Sequence, residues 1–360
     1  MTTSGHLTSL VDGIREIREE ELLASLPPEY PTDLTDRIEE ELRSRQDEMV
    51  VYLEDDSTGI QKSHDVYLIT DHSERGIRSG MEAARKAGHR LTFILTNSRA
   101  LSAKQAEELN RKIACILARI SLQERVFFRV GSRSDSTLRG HFPLEPITLM
   151  KTLEQSLGVV YEGIVVSQVF LTDMSRVTVN RVHLLRTRKQ DGSFWYTPVH
   201  LTKFAEDERF GYKTSDVAEY IEYKFATSRL GDVKADEVLH ISIWDVRKNG
   251  PEEVKRKLLR AKNGAFITVD IVTRQDLQVF ILGLLMAERQ GRNFIYRSAA
   301  SLPPARVNMI DIPVLTSEQI FCGRKLQGSI LCLWGSVVEL SNNQLRNLFE
   351  NFKDLVQIEF

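Results

Sequence analysis

A stretch that could do chemistry runs from Ser132 through Arg133, Ser134, Asp135, Ser136, Thr137, Leu138, Arg139, Gly140 and His141 to Phe142, Pro143, Leu144 and Glu145. Hydroxyls, two guanidinium groups, a carboxylate and a glycine stand together. Arginine grips a carboxylate through two parallel hydrogen bonds, so Arg133 and Arg139 are candidates for holding an acid group. Asp135 could accept hydrogen bonds from substrate hydroxyls, with Ser134, Ser136 and Thr137 beside it. The alternative is an ion pair from Asp135 to Arg133 or Arg139 that only shapes the loop. A second loop of the same kind lies upstream, at Glu54, Asp55, Asp56, Ser57, Thr58 and Gly59. Adjacent aspartates suit a cation, a hydroxylated substrate, or a base that takes a proton from a hydroxyl. Asp56 is the candidate base because it directly precedes the Ser-Thr-Gly turn; an Asx-turn or helix cap would account for the same residues without any activity.

Both loops need elements to hold them. Met49–Leu53 and Arg125–Val130 have the β-branched and aromatic content of strands, and Pro143 with Leu144 and Glu145 fits the first turn of a helix. Each loop therefore leaves the end of a strand, where open α/β folds bind ligands. From residue 49 onward strand-like runs alternate with amphipathic ones: strand 66–70, helix 74–88, strand 91–95, helix 102–121, strand 126–130, helix 143–157 and strand 164–167. An irregular stretch to about residue 212 follows, with hairpin potential at Asp191-Gly192, and then strands near 238–242, 265–269, 293–296 and 329–334. This rhythm predicts an α/β fold of three layers, a mostly parallel sheet with helices on both faces. Residues 1–47 read as a helical leader packing on the outside, with Leu10, Val11, Ile14 and Ile17 at helical spacing, a break at Pro27-Pro28 and a second run over Leu34–Arg45. A domain boundary is expected near residues 303–330, where Pro303-Pro304, Pro313 and Gly328 cluster.

The chain has 360 residues, 42% of them hydrophobic and 27% charged, with a net charge of −2. No basic excess exists to attract nucleic acid or an anionic membrane. No apolar run has the length of a membrane helix and no signal-peptide pattern opens the chain, so the expected location is cytoplasmic. Cys115, Cys322 and Cys332 form no Cys-x-x-Cys pair, and His64, His141 and His183 stand at no metal-ligand spacing, so no metal site is expected. There is no Gly-x-x-x-x-Gly-Lys-[Ser/Thr] loop and no protein-kinase signature set, and the Gly-x-Gly-x-x-Gly of a nicotinamide-dependent oxidoreductase is missing after the first strand.

Asp55-Asp56-Ser57-Thr58-Gly59 followed by Ser132-Arg133-Ser134-Asp135-Ser136-Thr137-Leu138-Arg139-Gly140-His141 resembles the four-carbon acid sugar kinases, which phosphorylate small sugar acids such as erythronate, threonate and their 3-oxo relatives. Further stretches are similar in the same order: Thr96–Ala100, Phe204-Ala205, Phe210–Tyr212, Asp276-Leu277, Tyr296–Ser301 and Gly335-Ser336. The resemblance implies a substrate site drawn from Asp55, Asp56, Arg133, Ser134, Asp135, Ser136, Thr137 and Arg139, and nucleotide contacts at Ser301, Gly335 and Ser336. It also implies ATP as phosphoryl donor, with Mg²⁺ carried by the nucleotide, a sugar acid as the small-molecule partner and room for a homodimer. By the same resemblance a substrate-binding domain is expected over residues 48–327 and the start of a nucleotide-binding α/β domain over 328–360, opening near Gly335, so this chain carries mainly the acceptor half. The segment Val337–Asn342 departs from the family's lysine- and threonine-bearing run. A catalytically inactive relative that binds a sugar acid or a protein partner is the alternative reading.

Overall fold

The computed structural model describes residues 15–45, 47–171, 176–228, 230–310, 312, 315–322, 339–352 and 356. The strands in chain order are β1 (Ile17–Arg18), β2 (Glu48–Glu54), β3 (Tyr67–Ile69), β4 (Leu91–Leu95), β5 (Phe127–Arg133), β6 (Gly163–Ser167), β7 (Arg176–Val179), β8 (Val182–Arg188), β9 (Phe194–Pro198), β10 (Leu239–Ile241), β11 (Ala265–Val269) and β12 (Phe294–Ser298). The α-helices are α1 (Glu19–Ser25), α2 (Thr35–Arg43), α3 (Glu74–Lys86), α4 (Ala103–Glu124), α5 (Leu144–Leu157), α6 (Val217–Thr227), α7 (Gly250–Leu258), α8 (Arg274–Arg289) and α9 (Leu302–Arg306).

Successive side chains of β2 serve opposite faces, as the pleat requires. Met49, Val51 and Leu53 enter a core shared with Ile113 and Leu117 of α4 and Leu149 and Leu153 of α5. Val50 and Tyr52 enter a second core with Phe280 and Leu284 of α8. A strand buried on both faces needs helices on both, which is the expected three-layer α/β architecture. Eight strands in the order β10-β11-β6-β12-β5-β2-β4-β3 form this sheet, every pairing parallel. Local sequence starts the helices where the strands release the chain: Ser73 caps α3, and Ser102 with Gln105 and Thr273 with Asp276 form capping boxes on α4 and α8.

A second, antiparallel sheet in the order β1-β9-β8-β7 packs around Ile17, Val177, Leu184 and Tyr196. The leader differs from the expectation of an outer attachment. Leu34, Ile38 and Leu42 recur every four residues, form one apolar stripe on and before α2, and are buried in the same core as α8. Leu10, Val11 and Ile14 lie outside the described residues.

Residues 1–311 form one compact unit and residues 312–360 another. In the second unit the described helices are α10 (Ser317–Ile320) and α11 (Glu339–Asn351), and the strand expected at 329–334 lies outside the described residues. Among the described residues no helix is long and apolar enough to cross a membrane.

Candidate functional site

The chain runs from β2 to β3 and back to β4 on one side of β2, then crosses to place β5 on the other side. The C-terminal ends of β4, β2 and β5 are therefore neighbours at a point where the strand order reverses, the usual place for a ligand crevice in such sheets. Both loops singled out by sequence leave the sheet here.

After β2 the chain turns on Asp56, whose Oδ1 accepts from the Thr58 amide at 2.9 Å and the Thr58 hydroxyl at 2.8 Å. Gly59 follows because a Cβ there would fall 2.0 Å from the Glu54 carboxylate. The loop after β4 is tied alongside, with the Thr96 amide donating to the Glu54 carbonyl at 2.8 Å. It presents Arg99, which donates to both Asp55 carboxylate oxygens at 2.7 and 3.2 Å and lies 3.2 Å from Asp56. This is the fork geometry that guanidinium and carboxylate share.

The loop after β5 is braced on several sides. Its Ser134 amide donates to the Ser298 carbonyl of β12 at 2.9 Å, and the Tyr212 and Tyr220 hydroxyls donate to the carbonyls of Thr137 and Leu138, both at 2.7 Å. His183 of β8 donates from Nε2 to the Ser136 carbonyl at 2.8 Å and accepts at Nδ1 from Thr178 at 3.0 Å. Burial pushes the His183 imidazole down to about 4, although the Ser136 carbonyl opposes it. Within the loop, Arg139 donates to Asp135 at 2.6 Å and Thr137 bonds the same carboxylate. Asp135 is thus ion-paired with Arg139, the loop-shaping contact that sequence left open.

Arg133 lies deeper. Its guanidinium donates to Glu54 at 2.9 Å and does not line the mouth. Behind the loop, Arg297 at the end of β12 donates to Ser132 at 2.6 Å and to Glu145, in the first turn of α5, at 2.7 Å. Gly140, at φ +118°, lets the chain pass over this charge: a Cβ there would fall 2.8 Å from Arg297 Nη2, 2.9 Å from Ser134 Oγ and 3.1 Å from Asp55 Oδ2. His141 donates to the carbonyls of Ser98 and Leu101, each at 3.0 Å, and so lines the loop from behind.

The acids of the site are unequal. Burial raises Asp55 above the usual carboxylate range despite Arg99. For Asp56 burial is outweighed by the Thr58 hydrogen bonds and Arg99, which hold it below that range. Asp135 is likewise held low, because Arg139 and Arg99 outweigh its burial. The mouth of the site thus carries ionised carboxylates and guanidinium groups, able to bond hydroxyls and to exchange partners with an acidic ligand.

The structure brings together Asp55, Asp56, Arg133, Ser134, Asp135, Thr137 and Arg139. Ser301 stands at the start of α9, where its hydroxyl accepts from the Leu171 amide at 2.9 Å. It borders a groove whose lining includes Lys62, Arg274 and Gln278 and, among the described residues, no acid. Gly335 and Ser336 lie outside the described residues. Glu54, Arg99, Glu145, Asp207 and Arg297 had no assigned role from sequence. Arg99 and Arg297 lie within Thr96–Ala100 and Tyr296–Ser301, two stretches the sequence resemblance marks without a role, and each stands at or just past a strand end. Among the described residues no group of three His, Cys, Asp or Glu is arranged to hold a metal ion.

A family model described as the sugar-binding N-terminal domain matches residues 50–306. No curated protein matches. A crystal structure of a domain of unknown function (DUF1537) from Bordetella bronchiseptica, a domain-swapped dimer with bound citrate, is 18% identical with a TM-score of 0.48, and the match covers 72% of this chain and 55% of that one. A DUF1537 protein from Haemophilus influenzae is 13% identical with a TM-score of 0.49, over 84% of this chain and 65% of that one. This chain matches less than two thirds of the length of either.

Proposed function

Because the chain belongs to the family of the sugar-binding N-terminal domain of four-carbon acid sugar kinases, we propose that it binds a four-carbon sugar acid at the loops after β2, β4 and β5 and presents it for ATP-dependent phosphorylation. The observation that carries this reading is the convergence of Asp55, Asp56, Arg99, Asp135 and Arg139 past the C-terminal ends of β2, β4 and β5. Such a set matches a ligand with one carboxylate and several hydroxyls: guanidinium groups for the acid, carboxylates for the hydroxyls. Arg139 takes the carboxylate, with Arg99 beside it held by Asp55 and Asp56, while Arg133 holds Glu54 beneath them.

Asp56 is the proposed base. It is ionised, lies toward the mouth, and its Oδ2 faces Arg99 while Oδ1 holds the turn. It would accept the proton of the attacking hydroxyl as that oxygen bonds to the γ-phosphorus of ATP and the bond from that phosphorus to the β-phosphate oxygen breaks, releasing ADP. ATP, when bound, supplies the phosphoryl group, and Mg²⁺ neutralises its charge. The groove beside Ser301 fits an anionic nucleotide in charge, with Lys62 and Arg274 on its lining, and Ser301 is the proposed contact there.

Calorimetric titration with erythronate and threonate, followed by ADP release with Mg-ATP, tests this reading. Binding with turnover supports the kinase; binding alone would place the chain among non-catalytic sugar-acid binders; binding of neither acid would sink the proposal. Asp56→Asn is expected to keep sugar-acid affinity within about fivefold while abolishing ADP release. An equally active variant would exclude Asp56 as the base.

A further inference from the structure

The guanidinium groups of the site differ in reach. The side chains of Arg297 and Arg133 are 1% and 5% exposed, whereas those of Arg99 and Arg139 are 21% and 23% exposed. A ligand meets the latter two first. Arg99 is held along its whole edge, by Asp55 at 2.7 and 3.2 Å and Asp56 at 3.2 Å. Arg139 is held firmly on one side only: Nε donates to Asp135 at 2.6 Å, but Nη1 is 3.6 Å from Asp207 Oδ2. That second separation is well beyond the roughly 2.8 Å of a charge-assisted hydrogen bond.

Asp207 belongs to a segment that spans the loops after β4 and β5. Phe204 places its ring centroid 5.0 Å from the Arg139 guanidinium carbon, Arg209 donates to the carbonyls of Arg99, at 3.3 Å, and of Leu101, and Tyr212 donates to Thr137. Lys224 fastens the segment from behind, donating to the carbonyls of Phe210 at 3.0 Å and Gly211 at 2.8 Å. Asp207 Oδ1 accepts from the amides of Arg209 and Phe210, both at 3.0 Å. The segment is therefore fixed, and Oδ2 of Asp207 is its loosely held anionic end.

We propose that Asp207 is a resident carboxylate on the outer edge of Arg139, and that the carboxylate of an incoming sugar acid displaces it. The inference rests on the reading that this site takes a sugar acid. Two carboxylates already face Arg139, so a third must compete with one of them, and the long, partly exposed contact to Asp207 yields at less cost than the short one to Asp135. Asp207 thereby tunes affinity for acids and leaves neutral polyols indifferent, because a polyol brings no charge to exchange.

Asp207→Asn tests this while keeping an Oδ1 acceptor for the two amides. Titrated with erythronate and with the neutral polyol erythritol, the variant is expected to bind the acid about two- to fivefold more tightly, the strength of a partly exposed ion pair, and the polyol no differently. The gain should vanish when Arg139→Gln is added. Asp207→Ser, whose hydroxyl can cap the same amides, gives the same readout if the asparagine variant misfolds. Erythronate affinity that is unchanged or weaker in the variant, with wild-type binding intact, overturns the inference and leaves the proposed function standing. No acid binding by wild type or variant overturns both.

Discussion

Glu54 shows how a single carboxylate can mark the difference between support and reaction. It ends β2 with Oε1 2.9 Å from Arg133, and it forces glycine at position 59. Burial pushes it up to about 8, against the pull of Arg133 and with the help of Asp55. Its folded value is above the unfolded 4.5, so its contribution to stability is present in full below pH 4.5 and is lost as pH rises through about 8. Glu54→Gln should therefore flatten the decline in melting temperature between those two pH values. An unchanged slope would mean that Arg133 keeps Glu54 ionised throughout. Asp56, two residues on, is held low by its own turn and stays charged over the same range.

At the scale of elements, the contact between β2 and β5 depends on one missing side chain. A Cβ on Gly131 would fall 2.1 Å from the Tyr52 ring, and that ring is held in turn against Tyr296, 6.2 Å between centroids. Gly131→Ala should destabilise the fold by about 1–3 kcal/mol in chemical denaturation, through overpacking; an unshifted midpoint would show that the ring yields freely. The parallel strands were legible in sequence because doubly buried strands read as continuous apolar runs, and β4 and β11 match their expected spans residue for residue. The β7–β8 hairpin was not. Asn180 and Arg181 both take positive φ, 49° and 68°, as a two-residue primed turn requires, yet Asn-Arg lacks the glycine that announces such a turn. The β5 loop was legible because its chemistry is contiguous. Arg297 lay in a stretch marked by resemblance, but its partners were not legible, because it meets Ser132 and Glu145 only through the register that puts β12 beside β5.

Across the whole molecule, charge is used differently at different places along the strands. At the start of β2 and β5, Glu48 and Glu288 are enclosed with Arg45, Arg129 and Arg306, including Arg45–Glu288 at 3.0 Å, Arg129–Glu48 at 2.8 Å and Arg306–Glu288 at 2.5 Å. The candidate site lies at the other strand ends. Glu288→Gln should cost about 3–5 kcal/mol by leaving buried guanidinium charge uncompensated, and should leave erythronate affinity unaltered. Equal loss of binding and stability would show that the two ends do not act separately. The strand order has one more consequence, for synthesis. β12 is the last strand of the sheet to be made, yet it lies between β6 and β5, and its Ser298 carbonyl receives the Ser134 amide of the candidate loop. On the ribosome the two halves of this sheet keep open edges until residue 298 has emerged, so the loops after β2, β4 and β5 are made early and the brace behind them, the Ser298 carbonyl and Arg297, arrives last.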